Sequence, residues 1–108
     1  MELVTVRDGS RTVYLEKNRM KEVVIHPQIQ QVPGAPDHIC GIMLYERTPV
    51  VFCRVGDSGR CTCGFILGFE DGTMMGVTGE LGGEVAGEPQ EMTGLMPGIW
   101  EKKCDTTE

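Results

Sequence analysis

Residues 30–55 contain a rigid loop followed by two short apolar runs, and this arrangement restricts the fold more than any other part of the chain. The loop is Val32-Pro33-Gly34-Ala35-Pro36. Its two prolines each fix φ, and the glycine between them leaves one residue free to turn. The runs Ile39–Tyr45 and Pro49–Val55 have the length of β-strands and are rich in β-branched side chains. This pattern predicts a loop that leads into a tight, buried hairpin.

The rest of the chain also shows strand-like segments separated by turn signals. Almost no window has the 3.6-residue period of an amphipathic helix over three turns, so we expect an all-β protein. Residues 79–98 consist largely of glycine, glutamate and methionine, a composition compatible with loop, irregular strand or a short helix. The predicted strands outside the central hairpin are Leu3–Val6, Thr12–Leu15, Glu22–Ile25, Thr62–Phe69 and Thr73–Thr78.

Composition excludes several classes of function. The 108 residues suffice for one domain, or for one domain made of two small halves. A net charge of −6 argues against binding to nucleic acid or to an anionic membrane surface. No signal peptide and no apolar run of membrane-spanning length is visible. The odd number of cysteines, five, indicates reduced thiols in a cytoplasmic protein.

The central stretch resembles the CheW-like domain, found in the coupling proteins of bacterial chemotaxis and in the regulatory domain of the CheA kinase. The resemblance rests on the loop Val32–Pro36, its spacing to Gly41, and the two apolar strands that follow. Met20-Lys21-Glu22-Val23 is similar to the apolar-x-Glu-apolar segment of the family. The implied fold is two small packed β-barrel subdomains. We therefore expect a single domain over residues 1–108, with a first half of about 1–57, a second and incomplete half of about 58–103, and a tail at 104–108.

The resemblance also implies a function without catalysis or cofactor. Family members act as cytoplasmic adaptors that join the cytoplasmic tips of chemoreceptors to the regulatory domain of a histidine kinase. By position in the family's segments, Met20, Glu22 and Gly41 are expected on or beside a protein-binding surface. The proline-containing loop Val32–Pro36 is expected to be structural.

The chain departs from the family pattern in three places. Leu44-Tyr45-Glu46-Arg47 stands where the family usually has an Asn-Leu-Arg-Gly turn, and the receptor-facing arginine has no clear counterpart. The segment after the central hairpin is shortened. The sequence also stops before the last strands of the second barrel, which predicts an unpaired edge near Thr73–Thr78 or Gly94–Trp100. A homodimer or another partner that covers this edge is expected; the alternative is a monomer in which the tail from Gly79 onward covers it.

Two other classes of function remain open from the residues alone. Cys61 and Cys63, two residues apart, could share a soft metal ion or a redox role, but no second pair of ligands has matching spacing, so we expect no bound metal. His26 and His38 flank the proline-containing loop and could form a catalytic pair with nearby carboxylates, although no nucleophile accompanies them.

Overall fold

The structure, a computed structural model, describes residues 1–57 and 62–103 and shows a protein built almost entirely of β-strands. Single 3-10 turns occur at Lys17–Arg19 and Pro89–Glu91. No helix in these two ranges is long and apolar enough to cross a membrane. The nine strands are β1 Glu2–Asp8, β2 Arg11–Glu16, β3 Met20–Ile25, β4 Ile39–Tyr45, β5 Thr48–Arg54, β6 Cys63–Gly68, β7 Met74–Ala86, β8 Met92–Met96 and β9 Ile99–Lys102.

The long strand β7 belongs to two groups of paired strands. Its first part pairs antiparallel with β6 and parallel with β5. Beyond these strands, β6 pairs with β3 and β5 pairs with β4. Its second part pairs antiparallel with β1, which continues through β2 and β9 to β8. We call these the β3–β4 ladder and the β1–β8 ladder. The two groups are therefore interleaved along the chain, because β1 and β2 pair with strands from the end of the sequence.

Two hydrophobic clusters lie on the two faces of the β3–β4 ladder. The larger cluster packs this ladder against the β1–β8 ladder, and its fully buried members include Val6, Phe65 and Val77. The smaller cluster is centred on Phe52, fully buried on the opposite face of the ladder. Gly76 and Gly64 keep room for the Phe52 ring, since a Cβ at either position would approach within 3.0 Å of it.

The predicted hairpins are confirmed by the pairing of β1 with β2, β4 with β5, and β6 with β7. Residues 79–98, which the sequence left open, are mainly strand: β7 continues to Ala86, and β8 follows the 3-10 turn. The apolar residues in this segment are too widely spaced for the alternation that marks a strand. Pairing with β1 therefore decides the conformation of residues 80–86.

The strands do not close into barrels, which corrects the expectation of two barrel subdomains. Within the described ranges, β3 has no ladder with β4, and β8 has none with the end of β7. Part of the gap beside β4 is filled by the loop before it, because the backbone of Gln30 pairs with that of Ile42 at 2.9 Å in both directions. A single bridge covers one segment of an edge strand and leaves the ladder open.

The unpaired edges differ from those expected. The prediction for Thr73–Thr78 is wrong for residues 76–78, because this part of β7 pairs with β6 on one side and with β5 on the other. Near Gly94–Trp100, β9 is paired on both sides, whereas among residues 1–57 and 62–103 the partner of β8 is β9 alone. Trp100 is half-buried against its own chain, and its indole N–H donates to Glu16 Oε2 at 2.6 Å.

Candidate interaction surface

Two of the expected binding residues, Met20 and Glu22, lie together on β3. This strand pairs only with β6, so its other edge is free within the described residues. Met20 is partly buried and packs against the larger hydrophobic cluster. Glu22 is exposed, and a register irregularity separates the two residues. Met20 therefore packs against the hydrophobic cluster beneath the surface, whereas the Glu22 side chain lies at the surface.

The Glu22 carboxylate contacts the far edge of the same ladder. The phenol of Tyr45, at the end of β4, donates a hydrogen bond to Glu22 Oε1 at 3.5 Å. Because β3 and β4 are the outermost strands of this ladder, the contact shows that the ladder curls until its edges approach each other. The pKa of Tyr45 is raised, first by loss of solvent around the ring and then by the negative charges of Glu46 and Glu22.

Gly41 is buried in β4, away from Glu22. It lies four residues before Tyr45, about 13 Å along an extended strand. Its φ of +149° is one that residues with a Cβ rarely adopt, and a Cβ there would overlap the carbonyl oxygen of Gln30. The bridge between Gln30 and Ile42 produces this close approach. At this position glycine is needed for packing.

The proline-containing loop Val32–Pro36 forms a turn, with Gly34 at a φ of +81° and the Ala35 N–H donating to Val32 O at 3.2 Å. The loop is fastened to the end of β5 by Arg54. Its guanidinium Nη1 donates to Asp37 O at 3.0 Å, and its backbone N donates to His38 O at 2.7 Å. The loop and the start of β4 line a shallow cleft. This cleft is at the opposite end of β4 from Tyr45.

An apolar patch on the outside of the central hairpin was missed by sequence reasoning. The pairing of β4 with β5 places Ile42 opposite Val51 and Leu44 opposite Pro49. Leu44 is 67% exposed and Val51 is 41% exposed, whereas Val50 is fully buried. The segment Pro49–Phe52 therefore alternates between exposed and buried residues although all four are apolar. We call Ile42, Leu44, Pro49 and Val51 the hairpin patch; exposed apolar patches of this kind often contact other proteins.

The residues proposed for metal or catalytic chemistry are not assembled into a site. Cys61 and Cys104 fall outside the described ranges, and Cys63 is only 8% exposed within the larger hydrophobic cluster. In residues 1–57 and 62–103, no three His, Cys, Asp or Glu side chains are grouped so as to hold a metal ion. Burial, more than the nearby Cys40 thiol, raises the pKa of Cys53.

The two histidines are held by different strands. The His26 backbone N donates to Thr62 O beside β6, whereas His38 O accepts from Arg54 on β5. Since β7 lies between β6 and β5, these two attachment points are about 10 Å apart. Both histidines are exposed. The backbone geometry does not favour a catalytic pair.

Among solved structures, the chain is similar to the scaffolding protein TtCheW from Thermoanaerobacter tengcongensis. The TM-score is 0.68 at 16% sequence identity, and the match covers 84% of this chain and 68% of that chain. No protein-family model matches the chain, and no curated protein matches it significantly. The CheW-like fold expected from the proline-containing loop is therefore confirmed as a fold.

Proposed function

We propose that this protein is a cytoplasmic, non-enzymatic adaptor of the chemotaxis type, which couples chemoreceptors to a histidine kinase through protein contacts. The observation that carries the proposal is the fold shared, over most of the chain, with a protein described as a scaffold. The loop Val32–Pro36 and its spacing to Gly41 support it from the sequence. The described residues also present exposed apolar and acidic groups on one ladder, as protein contacts require.

In this proposal, Glu22 and the hairpin patch form the contact surface, while Met20 and Gly41 support it from beneath. Glu22 is exposed on the free edge of β3, and Leu44 precedes Tyr45 on β4. Because neighbouring residues of a strand point to opposite faces, the Tyr45–Glu22 pair and Leu44 lie on the two sides of the same end of β4, and the contact surface would include both sides of this end. An apolar patch with a charged rim is the common arrangement of a protein-binding surface.

Binding measurements on variants of Glu22 test this surface. The Glu22→Lys variant should weaken binding to a chemoreceptor cytoplasmic fragment or to a kinase regulatory domain by about tenfold or more, as reversal of an interfacial charge does. Tyr45→Phe removes the hydrogen bond but keeps the Glu22 carboxylate, so it should retain most of the affinity. Glu88→Lys, which makes the same charge change in the connection between β7 and β8, is the matched control.

The pattern of losses decides between a binding role and a structural role for Glu22. Loss of affinity in Glu22→Lys, with unchanged Tyr45→Phe and Glu88→Lys, supports a direct contact. Equal loss in Glu22→Lys and Tyr45→Phe would show that the pair matters only by holding β3 and β4 together. Unchanged binding in all three variants contradicts the proposed surface.

A further inference from the structure

An open cleft lies on the β1–β8 ladder, away from the surface proposed above. It is bounded by the end of β7, the start of β8 and the end of β9, and its floor is formed by β1 and β2. Leu3 in the floor is fully buried and Met92 is 6% exposed. Tyr14 on β2 and Val85 on β7 also line the cleft. Its lining therefore combines apolar side chains with charged ones, and the cleft is open to solvent.

The cleft exists because the β1–β8 ladder is not closed. The end of β7 and the start of β8 are joined only by residues 87–91, and in the described ranges no ladder connects them. Gly87 packs over Leu3, where a Cβ would come within 2.9 Å of Leu3 Cδ1. This connection covers Leu3 but leaves Val85 42% exposed and Leu81 54% exposed. The outer edge of β7 from residue 80 to 86 has no strand partner among the described residues.

The charge at the mouth of the cleft is opposite to that of the whole chain. Lys102 and Lys103 both line it, with Glu91 as the one acidic lining residue, while the protein has a net charge of −6. Neither lysine takes part in an ion pair within the described residues. The Lys102 ammonium instead lies over the Tyr14 ring, 5.7 Å from its centre. A negatively charged group could therefore pair with either lysine without breaking an existing salt bridge.

We propose that this cleft accepts an extended peptide segment that carries both acidic and apolar side chains. The segment would add along the edge of β7 that has no strand partner among the described residues, with an apolar side chain against the exposed Val85 and a carboxylate beside Lys102 or Lys103. Addition of a strand to an open sheet edge gives affinity through backbone hydrogen bonds and specificity through alternate side chains. The two lysines, which have no ion pair among the described residues, would select an acidic partner over a neutral one. The inference goes beyond the adaptor function and uses none of its proposed contact residues.

A pair of synthetic peptides tests the chemistry of the partner. The first is an acetylated and amidated hexapeptide of alternating valine and aspartate, and the second has asparagine in place of aspartate. The acidic peptide should bind at least about tenfold more tightly at low ionic strength, and this advantage should shrink as salt screens the lysines. Amide chemical shifts should change most around Tyr14, Val85, Met92 and Lys102.

Charge reversals identify the site. Lys102→Glu and Lys103→Glu should each weaken binding of the acidic peptide, and Lys21→Glu on β3 should leave it unchanged. Lys103→Glu keeps the contact between Lys102 and Tyr14, so it remains informative if Lys102→Glu lowers the unfolding temperature. Equal binding of both peptides, equal binding by all three variants, no binding, or shift changes confined to the β3–β4 ladder would each overturn the proposal. None of these outcomes bears on receptor or kinase binding through Glu22.

Discussion

The Tyr45 phenol donates to the Glu22 carboxylate at 3.5 Å, and this contact joins the two outermost strands of the β3–β4 ladder. A full ladder between β3 and β4 would tie these edges with a row of backbone hydrogen bonds. Among the described residues, Gln30 instead forms a backbone bridge with Ile42 near the middle of β4, and the Tyr45–Glu22 side-chain pair connects the end of β4 to β3. Glu22 therefore has a structural contact as well as the binding role that we propose.

The Tyr45–Glu22 contact predicts a specific titration. The pKa of Tyr45 is raised above its ordinary value of 10.0 by desolvation and by Glu46 and Glu22. Because the folded protein holds this proton more tightly, stability is complete below pH 10 and falls as the pH rises through the raised pKa. In a Tyr14→Phe background, Glu22→Gln should lower the pKa of Tyr45, as followed by tyrosinate absorbance. A Tyr45 titration unchanged by Glu22→Gln would contradict this contact.

Gly41 should tolerate no side chain. Gly41→Ala combines a φ of +149° with overlap of the Gln30 carbonyl oxygen. Overpacking and backbone strain together should lower the free energy of unfolding by about 3 kcal/mol. Gly83→Ala is the control, because nothing lies within 4 Å of its Cβ position, and it should change stability by less than about 0.5 kcal/mol. Similar urea midpoints for the two variants would show that Gly41 is not needed for packing.

Local patterns in the sequence were enough to predict the hairpins and the all-β class. Alternation in Leu3–Val6 and the turn at Gly9, which has a φ of +64°, define β1 and β2 without reference to the rest of the chain. The proline-containing loop also predicted the fold, through its resemblance to a family with the same arrangement.

Features that depend on distant pairing could not be predicted in the same way. The conformation of residues 80–86 depends on β1, more than 70 residues earlier in the chain. The sequence did not predict the hairpin patch because Val50 and Val51 are the same residue type. The pairing with β4 and the structure's burial show which of the two is buried. The close packing of Gly41 against Gln30 likewise follows from the bridge between Gln30 and Ile42, which no local pattern indicates.

The turn between β4 and β5 is strained. Glu46 and Arg47 have φ values of +50° and +69°, as a two-residue hairpin loop requires, yet neither is Gly, Asn or Asp. Arg47→Gly should therefore raise the free energy of unfolding by about 0.5–1 kcal/mol. Arg47→Ala removes the same side chain but keeps the Cβ, so it should give no such gain. Equal effects of the two variants in urea denaturation would show that the backbone conformation is not the cause.

Asp71, in the turn between β6 and β7, should contribute stability that depends on pH. Its Oδ1 accepts hydrogen bonds from Thr73 N at 3.0 Å and from Thr73 Oγ1 at 2.7 Å, and these lower its pKa below the ordinary value of 3.8. The stabilisation is therefore present above about pH 4 and is lost as the pH falls through the lowered pKa. The stability difference between wild type and Asp71→Ala should shrink in acid. A difference that is constant from pH 7 to pH 2 would contradict this origin.

Reconstitution of a three-component complex tests the adaptor proposal most directly. A chemoreceptor cytoplasmic fragment is immobilised, a histidine kinase containing its regulatory domain is added, and retained kinase is measured with and without this protein. We predict that the protein increases kinase retention, that Glu22→Lys reduces the increase, and that Glu88→Lys does not. If the folded protein binds neither component and leaves kinase retention unchanged, the adaptor proposal is contradicted.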